Sequence, residues 1–305
     1  MSTIALLLAL LSAAAPLAAG QGAATKCVGP LPLSVDGAAE TWSVITNAGA
    51  SGISTSNASV TMAHNDRAYI VSQCLMAFSP DLYAKNWRLL GRALNFTVDI
   101  SSSGCACNVA FYMVSMPGFG SDQQPFPAQD GSYYCDANDV DGNWCPEVDI
   151  MEANTAALAV TPHTCAAPEG KHFTACDRGG CSVNSHKASA SGFGPGPAYT
   201  INSLLPFVVS TAFPVDASGA LAAMTTTLSQ AGASFVLRHT TQACGAGYLA
   251  NMTAPLAKGM VPAISVWGDA GSTMNWLDVP PCDVAKACDA SAAAGIFSDF
   301  SITKL

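Results

Sequence analysis

The chain is predicted to be all-β, with two curved antiparallel sheets packed face to face as a sandwich or jelly roll. Short runs of alternating apolar and polar residues recur along it, clusters of glycine, proline, asparagine and serine separate them, and no long segment carries a capped helical repeat. Strands without helices to cover them must bury their apolar faces against one another, and such sheets, if curved, leave a groove for an extended ligand.

Residues 93–100 carry the pattern most clearly. Leu94, Phe96, Val98 and Ile100 alternate with Asn95, Thr97 and Asp99, the period of a strand with one buried face. The same period turns Asn95, which opens an Asn-x-Thr sequon, outward where a glycan fits. Further strands are predicted at 59–63, 67–71, 110–116, 146–152, 206–213, 234–239, 261–267 and 295–303. The best helical candidate is short, 283–287, and no internal repeat is visible.

Residues 1–20 hold no acidic or basic side chain and carry an apolar run from Ile4 to Leu11, followed by alanine- and proline-rich sequence. This reads as a secretory signal peptide cut before Gln21, with an uncleaved membrane anchor as the alternative. The apolar core is too short to favour a span. Residues 21–305 then form a single domain, since no Ser/Thr/Pro-rich linker divides them. Extracellular placement agrees with the 12 cysteines, all beyond the leader: an even number in a secreted chain implies up to six disulfides, whose pairing the spacing leaves open. Asn57, Asn95 and Asn251 each open a glycosylation sequon. Zinc ligation by His163, Cys165, His172, Cys176, Cys181 and His186 matches no regular finger spacing, and neither a metal nor another cofactor is expected. With a formal net charge of −9, nucleic acids and anionic lipid surfaces are repelled, whereas a neutral glucan is not.

Glu147, Asp149 and Glu152 place three carboxylates within six residues of a chain with only 11% charged residues. Strand alternation puts Glu147 and Asp149 on one face and Glu152 on the other, unless one extra residue is accommodated. A β-bulge near Ile150 or Met151 restores Glu152 to the shared face. Three acids then line one concave surface, the set a retaining glycosidase uses: a nucleophile, a proton donor, and a third carboxylate that positions and tunes the nucleophile. Acid clusters also form solvated turns and calcium loops. Calcium loops, however, space their ligands through glycine-bearing polar segments, whereas these acids alternate with Val148, Ile150 and Met151.

From Asp36 onward, several motifs occur in one order. Leu89-Leu-Gly91 precedes Phe96-Thr-Val-Asp-Ile100; Asn108 and Tyr112 lie in a strand ending at Met116, followed by Tyr134-Cys-Asp136. After the acid run come Thr161-Pro-His163 and Cys165, then Cys176-Asp-Arg-Gly-Gly-Cys181, Gly194-Pro-Gly196, Trp267 and Trp276-Leu-Asp278. Together they resemble glycoside hydrolase family 7, the fungal-type cellobiohydrolases and endoglucanases. The acid spacing alone is shared with family 16, the β-1,3- and mixed-linkage glucanases, and Met151 stands where family 7 usually has tryptophan. The His163 segment, taken as a loop after the catalytic strand, the Tyr134-Cys135-Asp136 motif and the paired tryptophans decide for family 7.

The resemblance implies a concanavalin A-like sandwich with a substrate cleft. It makes Glu147 the nucleophile, Glu152 the general acid/base and Asp149 a partner hydrogen-bonded to the nucleophile. His163 is placed beside Glu152, tuning the proton donor or making a purely structural loop contact. Asn108, Tyr112, Tyr134 and Asp136 are placed along the cleft as substrate-binding residues, with plain packing as the alternative. Trp267 and Trp276 offer flat faces for pyranose stacking. Trp42, Trp87 and Trp144 are left to core or loop packing. Ala270 and Gly271 replace aromatic residues expected between the two tryptophans, Ser182 and Val183 replace an Asp-Trp pair, Lys187 replaces arginine, and an N-terminal tryptophan-bearing strand is missing. These losses fall in loops that grip substrate. The expectation is therefore a secreted, monomeric, retaining endo-β-1,4-glucanase with an open cleft. The alternatives are a β-1,3- or mixed-linkage glucanase, a non-catalytic glucan-binding lectin-like protein, and a cysteine-rich wall protein.

Overall fold

The computed structural model describes residues 22–245, 247–269, 274–278, 282 and 286–305. The leader, its cut before Gln21, and the replacements Ala270 and Gly271 lie outside the described residues, as do 283–285 of the short helical candidate; Lys286 and Ala287 are not helical.

The strands are β1 (Thr25–Val35), β2 (Ala38–Asn47), β3 (Ile53–Ser56), β4 (Ser59–Ala63), β5 (Asp66–Val71), β6 (Arg92–Asp99), β7 (Cys107–Val114), β8 (Glu147–Ala153) and β9 (Leu158–His163). They continue as β10 (Val183–Asn184), β11 (Phe193–Gly194), β12 (Ile201–Asn202), β13 (Phe207–Ala212), β14 (Ala223–Gln230), β15 (Ala233–Thr240), β16 (Val261–Gly268) and β17 (Ala294–Lys304). The α-helices among the described residues are short: α1 (Ser185–Ala188), α2 (Thr241–Cys244) and α3 (Thr253–Lys258). The strands predicted from alternation are present within a few residues of their expected limits. Thr161 to His163, expected in a loop, instead ends strand β9.

Fifteen strands join one sheet, ordered β10-β9-β8-β7-β16-β5-β2-β1-β17-β6-β13-β14-β15, with β3 and β4 attached through β17. The sheet is strongly curved and nearly closed, the two-layered jelly roll of the predicted class. Its halves enclose one core. On β7, Cys107, Val109, Phe111 and Met113 point into it, meeting Phe96 of β6 and Phe297 and Phe300 of β17. Phe96 and Phe111 lie 4.7 Å apart between ring centroids, and burying each such side chain contributes about 1.5–3 kcal/mol. Trp42 and Trp87 meet edge to face at 5.9 Å in the same core.

Where the curved sheet comes back on itself, the buried His239 of β15 donates from Nε2 to the Val160 carbonyl of β9 at 3.0 Å. The Cys181–Cys244 disulfide joins the same two regions. Further disulfides pair Cys27 with Cys74, Cys105 with Cys282, Cys107 with Cys288, Cys135 with Cys145, and Cys165 with Cys176. Of the cysteines in the candidate zinc set, Cys165 and Cys176 are thus bonded to each other and Cys181 to Cys244. Asn95 projects from β6 toward β17 and donates to Ser301 Oγ at 3.2 Å.

Strand β1 carries Pro30 and Pro32, which argue against a central strand. It pairs with β2 along its length but with β17 only at Ser34 and Val35. Residues lacking an N–H thus fall on a stretch with a single ladder neighbour.

Candidate active site

Strands β9, β8, β7, β16 and β5 lie side by side, and the side chains pointing away from the core form the wall of a groove of about 1060 Å³. Strand β8 supplies the acids. Phe111 pairs with Met151 and Tyr112 with Asp149, so Ile150 is the extra residue of a bulge; on the other side Asp149 pairs with Thr161 and Glu152 with Ala159. Val148, Ile150, Met151 and Ala153 all enter the core, while Glu147, Asp149 and Glu152 all line the groove. Two consecutive apolar residues, Ile150 and Met151, are what turn the parity. Met151, which speaks for family 16 in the sequence, is fully buried on the far side of the sheet from the groove.

Each carboxylate has a different environment. Glu147 is buried and accepts the Ala137 N–H at 2.9 Å. Asp149 Oδ2 lies 2.8 Å from His163 Nε2. Glu152, the least buried of the three, accepts from Asn108 Nδ2 at 2.9 Å. The expected partnership of His163 with Glu152 is corrected. His163 stands opposite Glu147, while the residue opposite Glu152 is Ala159, about 13 Å away along β9 at 3.3 Å per residue. Asp149, diagonally across the ladder, is the acid within reach.

Burial raises the pKa of all three acids. Glu147 is pushed well above the ordinary carboxylate range by burial and then by the charges of Asp149 and Asp136. Asp149 is likewise pushed well up, by burial and then by Glu152. In Glu152 burial is partly offset by the Asn108 hydrogen bond and, through charge alone, by His163. The cluster therefore holds protons at pH values where isolated carboxyls are ionised. Glu147, Asp149 and His163 each place a ligand atom within 4.8 Å of the others. Asp149 and His163 are bonded to each other, and Glu147 accepts a backbone N–H.

Tyr112, Tyr134 and Asp136 line the groove, as expected. The Tyr134 hydroxyl donates to that of Tyr112 at 3.4 Å, and Asp136 accepts the N–H groups of Asn138 and Val140 at 2.9 and 3.2 Å. Asn108 is the exception. It is completely buried beneath Glu152 and has no surface to offer a sugar, so the expected substrate contact is corrected to a support for the acid. Trp267 and Trp276 stack at 6.4 Å with planes 27° apart and are 37% and 45% exposed on the groove, large open faces for tryptophan. Asp278 anchors their loop, accepting from Asn154 Nδ2 at 2.7 Å and from the Ala106 N–H at 2.9 Å. The half-buried Trp144 packs beneath the Arg178 guanidinium at 4.9 Å.

Two features were not anticipated from the sequence. Arg67 lies over the Tyr134 ring at 3.7 Å and pairs with Asp141 at 3.0 Å, putting a cation on the groove floor. Its parity with Tyr69 in a half-buried strand was the available signal. The Asp177 carbonyl accepts from His163 Nδ1 at 2.8 Å; a backbone contact of this kind leaves no trace in side-chain pattern.

The profile of Glycosyl hydrolase family 7 matches residues 41–141 and 138–244. The chain is 33% identical over 262 residues to Endoglucanase EG-1 of Hypocrea jecorina, an alignment covering 75% of this chain and 55% of that protein. It thus spans about half the length of that relative. Endoglucanase 1 of Pyricularia oryzae is 30% identical over 298 residues, covering 81% of this chain and 70% of the relative. Among solved structures, an endoglucanase I complexed with cellobiose superposes with a TM-score of 0.72 at 20% identity, covering 95% of this chain and 98% of that one. A family 7 cellobiohydrolase from Daphnia pulex gives 0.69 at 19% identity, covering 95% and 98%. These two structures speak to the fold. The profile match, which covers most of the chain including the acid run of β8, and the Pyricularia relative show that the chain belongs to glycosyl hydrolase family 7.

Proposed function

We propose that the chain is a secreted, retaining glycoside hydrolase that cleaves internal β-1,4-glucosidic bonds of cellulose or a related β-glucan. The observation that carries this reading is the Ile150 bulge, which brings Glu147, Asp149 and Glu152 onto one groove wall. Glu147 acts as nucleophile, attacking the anomeric carbon to form a covalent glycosyl intermediate. Glu152, the more accessible acid, protonates the leaving oxygen and then takes a proton from the water that releases the sugar. Asp149 stands between them and orients Glu147. Trp267 and Trp276 provide the stacking surface for pyranose rings. The two relatives described above carry the name endoglucanase, which favours endo action. The leader and the disulfides support secretion, and no helix among the described residues is long and apolar enough to cross a membrane.

Incubation with carboxymethylcellulose, lichenan and laminarin at acidic pH, with reducing-end detection, tests the reading. Release from carboxymethylcellulose with a rapid fall in viscosity is expected, and Glu147→Gln should abolish release while retaining binding. Release from laminarin alone would replace the β-1,4 assignment. Binding without release by the unaltered protein would make it a lectin.

A further inference from the structure

His163 makes two short contacts that together fix a proton count. Its Nδ1 lies 2.8 Å from the Asp177 carbonyl, which can only accept, so Nδ1 carries a hydrogen. Its Nε2 lies 2.8 Å from Asp149 Oδ2. A neutral imidazole protonated at Nδ1 and an ionised carboxylate would there oppose lone pair to lone pair. A second proton therefore lies between Nε2 and Oδ2, as imidazolium with carboxylate or as imidazole with carboxylic acid. In either form the pair adds no net negative charge beside Glu147.

The Nδ1 contact depends on the segment 177–180, and a set of bonds outside the groove holds that segment. The Asp177 carbonyl also accepts the Gly180 N–H at 3.2 Å, and the Asp177 N–H donates to the Thr164 carbonyl at 2.8 Å. The Asp177 carboxylate accepts the Tyr248 hydroxyl at 2.9 Å and the Gly179 N–H at 3.1 Å. Tyr248 Oη also lies 3.2 Å from the Pro162 carbonyl, so its single proton ties the loop either to its own aspartate or to β9. Disulfides bound the loop at both ends, Cys176 to Cys165 and Cys181 to Cys244, four residues before Tyr248. Gly180, at φ +60°, presses its backbone so closely that a Cβ there would sit 2.7 Å from His163 Nδ1 and 2.4 Å from Thr161 Cγ2. A displacement of this loop is thus felt directly by the imidazole. The ionisable groups on the elements packed against His163 are Glu147, Asp149 and Glu152 from β8, Asp177 and Arg178 on the loop, and Tyr248 behind it.

We propose that Tyr248 and Asp177 are positioning residues for the acid cluster: they hold the 177–180 loop so that His163 stays an Nδ1–H donor and shares a second proton with Asp149. The catalytic consequence rests on the glycosidase reading; the placement of the proton does not. If the brace is loosened, Nδ1 can release its hydrogen to solvent, leaving the proton at Nε2 to be donated to an ionised Asp149. The pair then carries one more negative charge beside Glu147, and the nucleophile becomes harder to ionise.

Two variants test this, Tyr248→Phe, which removes only the hydroxyl, and Asp177→Ala, which removes the carboxylate but keeps the carbonyl. In the full chain labelled with ¹⁵N-histidine, the His163 Nδ1–H resonance, assigned by its loss in His163→Gln, is expected to be protected in the unaltered protein. It should weaken or exchange faster in both variants. On soluble glucan, kcat should fall about tenfold, the size of one charge-assisted hydrogen bond, with KM changed less than about twofold. The acidic limb of the pH–rate profile should move to higher pH. A His163 Nδ1–H signal unchanged in both variants, or an unshifted acidic limb with only a lower melting temperature, would overturn the proposal. Should the unaltered protein hydrolyse no glucan, the glycosidase reading fails and the resonance alone decides the brace.

Discussion

Asp149 and His163 meet at 2.8 Å across the β8–β9 ladder, on the Glu147 side of the cluster and away from Glu152. Substituting His163 should therefore slow hydrolysis whether or not the leaving group needs protonation. With His163→Gln, activity is expected to fall roughly 10–100-fold on both an unactivated cello-oligosaccharide and a dinitrophenyl glycoside. Glu152→Gln should be severe on the first and mild in the glycosylation step of the second. Equal leaving-group sensitivity in the two variants would place His163 with the acid instead.

Asn108 Nδ2 donates to the Glu152 carboxylate, and that bond favours the ionised form. Asn108→Ala should raise the pKa of the acid further and carry the basic limb of the pH–rate profile to higher pH. Substrate affinity should change little, because the residue is sealed from the groove. Measurement of kcat and KM across the pH range separates these effects.

Two kinds of buried group give stability opposite slopes with pH. Glu147 and Asp149 have folded pKa values above their unfolded ones, so the stability they confer is present at low pH and lost as pH rises through the folded values. His239 is lowered by burial, so its contribution is present above the ordinary histidine pKa and lost as pH falls through the folded value. Melting temperature should peak at mildly acidic pH. Glu147→Gln is expected to raise it by roughly 2–4 °C at pH 7 for each kcal/mol of relieved strain, with little change at pH 4. Differential scanning fluorimetry across pH reads both slopes.

The Trp276 segment is tied to the start of β7 by two disulfides whose partners are 177 and 181 residues apart in sequence. Either bond closes nearly the same large loop, so alanine replacement of one pair should cost much less than replacement of both. Loss of both should cost about 4–5 kcal/mol and raise KM more than it lowers kcat, because the stacking platform is freed while the acids stay on their sheet. Denaturant melts and steady-state kinetics on the single and double deletions check the ordering.

The sequence disclosed what depends on local alternation. Residues 93–100 and the acid run announce strands, and the odd spacing of Glu152 demands a bulge where Ile150 supplies one. It did not disclose β14, whose run Thr225 to Thr227 lacks strong apolar contrast, or β1, which carries Pro30 and Pro32. Partnership across strands was also out of reach. The family resemblance places His163 beside Glu152, but register is set by pairing along the whole ladder, which puts His163 opposite Glu147. Asn108 was read as facing the sugar because its strand floors the groove, yet Glu152 lies above it.

The prolines of β1 have a bearing beyond this chain's own folding. A long exposed strand flank is a template on which a second molecule can add its own backbone. Pro30 and Pro32 are exposed and lie where β17 has ceased to pair, so the flank cannot offer a continuous row of donors to an incoming strand. Their replacement by valine should leave the monomer folded and make concentrated solutions prone to edge-to-edge aggregation.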